Sequence, residues 1–219
     1  MDYDALPLIN WKQYPEAEQE GVLHMTRQFS SLVHHIRNFE RAVQLYDHCA
    51  QLREEHRLAD PKLQRMPERS KFVDWMLITG RDAAFTVYHF RSVVRSIRDQ
   101  LSRTPTLQKK ADTKAIEEAW QRVDHEFPAC KAIRDAVGHM ADMHFSPEAR
   151  AKHAHKSAPT IQGSLDERNR AIVFTRDGQH VYLDITADNL ERLRSIAGDV
   201  FKAFEKADQR PPEWRTPRQ

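Results

Sequence analysis

Glycine and cysteine are scarce in this chain of 219 residues. Its six glycines form none of the Gly-rich loops that cradle phosphates, which excludes the P-loop and dinucleotide-binding classes. The two cysteines, Cys49 and Cys130, lie far apart in apolar helical patterns, and this predicts buried thiols rather than a disulfide or a metal pair. A signal peptide and a membrane-spanning apolar run are also lacking, so we expect a cytoplasmic protein without a membrane partner.

Charge of one sign is equally lacking, because the formal net charge is only +2 with a pI near 8.5. This balance neither demands nor excludes nucleic acid, since a local basic face matters more than the total. Hydrophobic residues make up 40% of the chain, enough for a core, and the length fits one domain.

Apolar spacing predicts a mainly α protein with four antiparallel helices near 26–58, 67–102, 112–127 and 128–143. After Pro159 the spacing of apolar residues changes from helical to the alternating pattern of β-strands. Strands at 171–175 and 180–185 flank Asp177-Gly178, a strong signal for a tight hairpin turn, and residues 161–165 are a candidate third strand. The expected fold is therefore an antiparallel helical bundle with a C-terminal β-hairpin and a closing helix.

We expect residues 1–219 to form a single domain, because the hairpin and closing helix are too small to fold alone. Its predicted parts are an N-terminal arm (1–25), a helical bundle (26–156), a β-hairpin (157–186), a closing helix (187–208) and a flexible tail rich in Pro and Arg (209–219).

The most informative stretch is the fourth helix, which Pro128 introduces. Its predicted buried stripe consists of Ile133, Val137 and Met140. Beside that stripe lie Arg134, Asp135 and His139. Asp135 and His139 are four residues apart, so the carboxylate can orient the imidazole. A bidentate guanidinium beside a group that titrates near neutral pH indicates a phosphodiester site.

The segment Arg134-Asp135-Ala-Val-Gly-His139 resembles the motif of the HEPN superfamily, which is Arg, a polar residue, three more residues and His. Two other Arg–His pairs in the chain, Arg41 to His48 and Arg150 to His155, also have permitted spacings. Only the copy at Arg134 combines a polar residue directly after Arg, a strong apolar stripe and a place late in a helical bundle.

The resemblance implies a helical bundle that acts as a metal-independent endoribonuclease without a cofactor. His139 would be the general acid or base, Arg134 would stabilise charge on the phosphate, and Asp135 would hold His139 in position. RNA would be the substrate, and a homodimer would supply two such motifs to one composite site. The family also includes toxins and phage-defence proteins, so a protein antitoxin or regulator belongs to the expected partners.

Helix 67–102 carries a second candidate set, Arg81, Tyr88 and His89. These residues are predicted to bind substrate near the Arg134–His139 motif, with Tyr88 stacking on a base or donating to a phosphate. The alternative is an amphipathic helix whose Arg81 and Asp82 form surface ion pairs.

Two other interpretations remain open. The first is a non-catalytic helical protein that binds RNA, a nucleotide or a protein, in which Arg134 and Asp135 are a surface pair. The second is a metal site built from Asp135, His139, Asp142 and His144, but no matching Glu-x-x-His set accompanies it. His153 and His155 are expected to lie in a solvated turn rather than to bind a metal.

Overall fold

The computed structural model describes residues 6–59, 67–138, 146–155, 161, 163–166 and 170–210. Over these ranges the protein is mainly α, with a small antiparallel sheet and a closing C-terminal helix, as the sequence predicts. None of the helices in these ranges has the length and apolar character needed to cross a membrane. Most of the predicted tail, from residue 211 onward, lies outside the described residues.

The helices come first, the strands follow them, and one more helix follows the strands, as expected. After a short 3-10 turn at Trp11–Gln13 come α1 (Glu16–Ala59), α2 (Pro67–Leu101), α3 (Pro105–Gln108), α4 (Thr113–Glu126), α5 (Cys130–Gly138), α6 (Pro147–His153), β1 (Ser164–Asp166), β2 (Ala171–Arg176), β3 (Gln179–Asp184) and α7 (Ala187–Lys202). Helices α2 and α4 and the hairpin lie within a few residues of their predicted positions.

The start of α1 corrects the sequence-based prediction. The helix begins at Glu16 rather than near residue 26, so the predicted arm (1–25) is wrong from residue 16 onward. Two acidic residues, Glu16 and Glu18, lie in the first turn, where the helix dipole favours negative charge. Val22 and Met25 are fully buried, so the buried stripe of α1 extends back into the predicted arm.

The short helix α3 begins at Pro105, shortly after α2 ends at Leu101. The Glu18 carboxylate accepts hydrogen bonds from the Thr106 backbone N–H at 3.0 Å and from its hydroxyl at 2.7 Å. Glu18 therefore caps α3 from a distant part of the chain, which a local sequence pattern does not reveal.

The chain folds into two compact units, and each is assembled from separated segments. The first unit comprises Met1–Arg37, His89–Pro128 and Leu190–Gln219, and the second comprises Asn38–Tyr88 and Ala129–Asn189. The divisions fall inside α1, α2 and α7, so each of these helices contributes to both units.

Aromatic packing and a buried carboxylate mark the first unit. Phe29 packs edge to face on Phe201 and Phe204, with ring centroids 5.9 and 4.9 Å apart. Asp208 is buried, accepts the Leu8 N–H at 3.0 Å and pairs with Arg210 at 2.6 Å. Burial alone would raise the pKa of Asp208, but these hydrogen bonds and the Arg210 charge outweigh it and leave the pKa lowered.

The sheet lies in the second unit, with strand order β1-β2-β3. Asp177 and Gly178 have φ angles of 49° and 78°, the left-handed backbone that a tight hairpin turn requires. Strand β2 is buried on both faces. In the hairpin Ile172, Phe174 and Leu183 are buried, and Val181 is half-buried.

Helices cover this sheet closely. A Cβ added to Gly80 of α2 would lie 3.0 Å from the Ile172 Cβ and 3.2 Å from the Ile185 Cδ1. The absence of a side chain at Gly80 therefore lets α2 approach the sheet closely. Helix α5 packs against β2 and β3 as well. Cys49 and Cys130 are buried free thiols, which confirms their predicted role.

Candidate functional site

Helix α5 presents the candidate residues of the motif. Its buried residues are Cys130, Ile133 and Ala136, whereas Val137 is only half-buried. The predicted buried stripe was Ile133, Val137 and Met140. In the structure Ile133 is buried as predicted, but the helix is rotated about its axis so that Ala136 rather than Val137 faces the core. His139 and Met140 lie outside the described residues.

Arg134 is held from two sides. Its Nη2 donates to the Tyr88 hydroxyl at 2.9 Å, and its Cζ lies 4.3 Å from the centre of the Tyr88 ring. Its Nη1 lies 2.8 Å from the Asp135 Oδ1. The side chain remains 32% exposed, and its buried Nε has no hydrogen-bond partner. The guanidinium is therefore fixed in place while part of it can still reach a ligand.

Asp135 pairs with its neighbour Arg134 through one carboxylate oxygen. Neighbouring residues on a helix do not ordinarily face each other, yet Asp135 and Arg134 form an ion pair at 2.8 Å. The side chain of Asp135 is 24% exposed. Because His139 lies outside the described residues, the predicted contact between Asp135 and His139 stays a prediction.

The predicted binding residues of α2 divide into two groups. Arg81 and Tyr88 are seven residues apart, about two helical turns, and lie on the same face of the helix in the second unit. The structure brings Tyr88 into contact with Arg134. Arg81 is half-buried, and its buried Nε has no hydrogen-bond partner. Two guanidinium groups with unused donors thus belong to one unit.

His89 belongs to the first unit, apart from this group. Its ring stacks on that of His35, with centroids 5.8 Å apart and planes 16° apart, and His34 lies 5.8 Å from His35. Burial, followed by the charges of His89 and His34, lowers the pKa of His35 to about 4. The structure therefore gives His89 a histidine partner, and its predicted place beside the motif stays a prediction.

A second Arg–Asp pair offers an internal comparison. On α2 in the first unit, the Arg98 Nη2 lies 3.1 Å from the Asp99 Oδ1, and the Arg98 Cζ lies 5.2 Å from the Trp120 ring centre. Arg98 also pairs with Glu117 at 3.6 Å. Arg91 covers the same Trp120 ring at 4.4 Å.

Sequence reasoning missed the environment of His153. The residue was expected in a solvated turn, but it is only 6% exposed. Its Nδ1 lies 2.8 Å from the Asp177 Oδ1, and its Nε2 lies 3.2 Å from the Arg176 Nη1. Because the guanidinium can only donate, this pattern requires the tautomer with hydrogen on Nδ1. His153 therefore ties α6 to the hairpin turn, which no pattern near residue 153 reveals.

Among the described residues, no group of three or more His, Cys, Asp or Glu side chains has a geometry that could hold a metal ion. Of the four residues in the metal interpretation, only Asp135 is described; His139, Asp142 and His144 lie outside the described residues. That interpretation gains no support here.

Comparisons of the chain with protein-family models, with curated proteins and with solved structures found no match. The functional argument therefore depends on the residues and their geometry.

Proposed function

We propose that the protein is a HEPN-like, metal-independent endoribonuclease in which Arg134 and His139 perform the chemistry. The observation that carries this proposal is the presentation of Arg134. Its guanidinium is fixed by Tyr88 and Asp135, is still partly exposed, and precedes His139 by five positions in the sequence. A fixed donor group of this kind suits a phosphate whose charge grows in the transition state.

In the proposed reaction the 2′-hydroxyl of a ribonucleotide attacks the adjacent phosphorus, and the bond to the 5′-oxygen of the next nucleotide breaks. The products are a 2′,3′-cyclic phosphate and a 5′-hydroxyl. The proton of the 2′-hydroxyl must leave, and the departing 5′-oxygen must receive one. His139 would perform one of these transfers, and Arg134 would stabilise the charge on the phosphate oxygens.

A single motif supplies one imidazole and one guanidinium, so the proposal includes a homodimer whose two motifs face one cleft. The small residues near the motif, Ala136, Gly138 and Ala141, are those on which a second helix could pack closely, and Ala141 lies outside the described residues. Ala136 is fully buried within the protein and cannot contribute. Gly138 is exposed, no described atom lies within 4 Å of a Cβ added to it, and it remains the described residue on which a second helix could pack. Light scattering at micromolar concentration tests this part, and a monomer would refute it.

The experiment for the activity is an RNA-cleavage assay with chelator present, comparing the wild type with His139→Ala. A matched control is His48→Ala, because His48 follows Arg41 in one of the other motif-like spacings and is exposed on α1. We expect cleavage by the wild type and by His48→Ala, and none by His139→Ala. Equal cleavage by all three proteins would remove the proposed site.

A non-catalytic binding protein is the second candidate, and one observation favours it. The ion pair between Arg134 and Asp135 is what this alternative expects, since it partly neutralises the guanidinium before any ligand arrives. The two candidates differ in the same assay. A binding protein would retain RNA on a filter, lose that retention on Arg134→Ala, and leave the RNA intact.

A further inference from the structure

We propose that Arg134 and Asp135 bind one ribonucleotide together, and that Asp135 selects RNA over DNA. In this arrangement the guanidinium binds the 3′-phosphate and the carboxylate accepts a hydrogen bond from the 2′-hydroxyl. The inference rests on the proposed function for its substrate class, and it assigns Asp135 a role toward the substrate.

The first argument is the order of donors and acceptors. The Tyr88 hydroxyl, the two Nη atoms of Arg134 and the Asp135 carboxylate form a continuous row, joined by contacts of 2.9 and 2.8 Å. A donor group and an acceptor group thus lie side by side. A ribonucleoside 3′-phosphate presents the complementary pair, because its phosphate and its 2′-hydroxyl are attached to adjacent carbons.

The second argument is electrostatic. Asp135 and Arg134 are only 24% and 32% exposed, so water screens their charges incompletely. A deoxynucleotide would bring its phosphate toward the Asp135 carboxylate with no hydroxyl between them. The two negative charges would repel each other, whereas a 2′-hydroxyl donates to the carboxylate. A site built to bind a hydroxyl discriminates against the analogue that lacks it.

The third argument is the fixed position of the guanidinium. The Tyr88 ring and hydroxyl hold Arg134, and the Arg134 Nη1 in turn meets Asp135. Selection by a single hydroxyl requires such fixed geometry, since a mobile side chain would adapt to either sugar. Tyr88 is therefore a positioning residue for this pair.

The test uses adenosine 3′-monophosphate and 2′-deoxyadenosine 3′-monophosphate, which lack the 5′-linked leaving group and so cannot be cleaved by transesterification. Isothermal titration calorimetry at low salt measures both affinities. For the wild type we expect the ribonucleotide to bind about tenfold tighter or more, the size expected of one hydrogen bond to a charged group. In Asp135→Ala the preference should fall to within about twofold, mainly through weaker binding of the ribonucleotide.

Two further variants separate selection from misfolding. Asp135→Asn keeps the shape of the side chain and an acceptor oxygen but loses the charge, so its preference should be intermediate. Asp99→Ala alters the comparable pair in the first unit and should leave the preference unchanged. Circular dichroism of each variant establishes that it is folded.

Equal affinity of the wild type for both nucleotides, or no measurable binding of either, would overturn the inference. The inference would also be overturned if Asp135→Ala kept the preference for the ribonucleotide. The same holds if Asp135→Ala bound both nucleotides more tightly by the same factor, since Asp135 would then act only as a counter-ion of Arg134. The proposed function fails separately. If RNA cleavage depends on His139 but the two nucleotides bind equally, the nuclease proposal holds and the selection by Asp135 is refuted. If the ribonucleotide is preferred but RNA is not cleaved, the binding site holds and the nuclease proposal is refuted.

Discussion

The Arg98–Asp99 and Arg134–Asp135 pairs have the same dipeptide, a helical setting and an aromatic ring beside the guanidinium, yet their surroundings differ. Arg98 meets two carboxylates, Asp99 and Glu117, and shares the Trp120 ring with a second arginine. Around Arg134 the described contacts are one carboxylate, from Asp135, and the neutral phenol of Tyr88. The charge of Arg98 is therefore balanced more completely within the protein.

This difference shows why a short motif does not identify a site. The dipeptide Arg-Asp occurs at both positions, and the exposed fractions of the two arginines are almost equal, 33% and 32%. Among the described residues, what separates them is the second carboxylate beside Arg98, which Glu117 of α4 contributes. On these contacts we expect Arg134 to retain more attraction for an added phosphate than Arg98 does.

The largest expected effect comes from removing each arginine in turn. Arg134→Ala should lower RNA cleavage by about a hundredfold or more, because the guanidinium stabilises charge in the transition state. Arg98→Ala should change the rate less than about twofold. The initial rate on a labelled RNA measures both. Equal losses of cleavage rate in the two variants would show that Arg134 has no special role in the reaction.

The stability of the protein should be sensitive to the size of the side chain at Gly80, where α2 packs on the sheet of the second unit. Gly80→Val would drive side-chain atoms into Ile172 and Ile185, and we expect it to lower the free energy of unfolding by about 2 kcal/mol. The matched control is Gly198→Ala on α7, where an added Cβ meets nothing within 4 Å. That variant should be neutral or stabilising by up to about 1 kcal/mol. Urea unfolding compares them, and a neutral Gly80→Val would contradict the close packing of α2 on β2.

Acid should lower the stability of the protein through His35, which lies in the first unit. The pKa of His35 is lowered to about 4 from an ordinary value near 6.5, so in this window the unfolded chain binds a proton that the folded one does not. Stability should therefore fall as the pH falls from about 6.5 to 4. His35→Gln should reduce that loss by about 1 kcal/mol, after allowance for solvent screening of a partly exposed ring.

Unfolding measured at several pH values tests the role of His35. The lowered pKa of Asp208 affects stability only at lower pH, below about 4. An unchanged pH profile in the variant would show that His35 does not set the acid response.

The smallest effects should come from neutralising the acidic partners. Asp99→Asn and Asp135→Asn each alter a partly exposed ion pair, and we expect either to change the free energy of unfolding by less than about 1 kcal/mol. Thermal unfolding at low and high salt measures this. A large loss in Asp135→Asn would mean that the carboxylate mainly stabilises the fold, and the proposed selection would then need another residue.

Much of the fold could be predicted because its signals are local. Buried apolar residues recur along α2 from Met76 to Leu101, and Asp177-Gly178 adopts the left-handed backbone of the predicted turn. The start of α1 was missed because its first residues are mostly polar. The rotation of α5 was missed because Ala136 and Val137 fit a helical stripe equally well, and only the packing partners decide between them.

The candidate site was predictable in composition rather than in contacts. The sequence placed Tyr88 near Arg134, and the structure brings them to 2.9 Å. It also grouped His89 with them, and that assignment stays a prediction, while the structure shows the His89 ring stacked on His35. The pairing of Asp135 with Arg134 depends on the exact side-chain directions, which spacing alone does not determine.

The interleaved segments of the two units also bear on how the chain folds during synthesis. The second unit ends at Asn189, whereas the first unit needs Leu190–Gln219. A ribosome making the protein therefore completes the second unit before Leu190–Gln219, the last segment of the first unit, has been added to residues 1–37 and 89–128. Phe29, whose ring partners are Phe201 and Phe204, has to remain uncovered by them until residues 201–204 have been synthesised. Until then this part of α1 lacks its aromatic partners, and this is where a chaperone would be expected to bind.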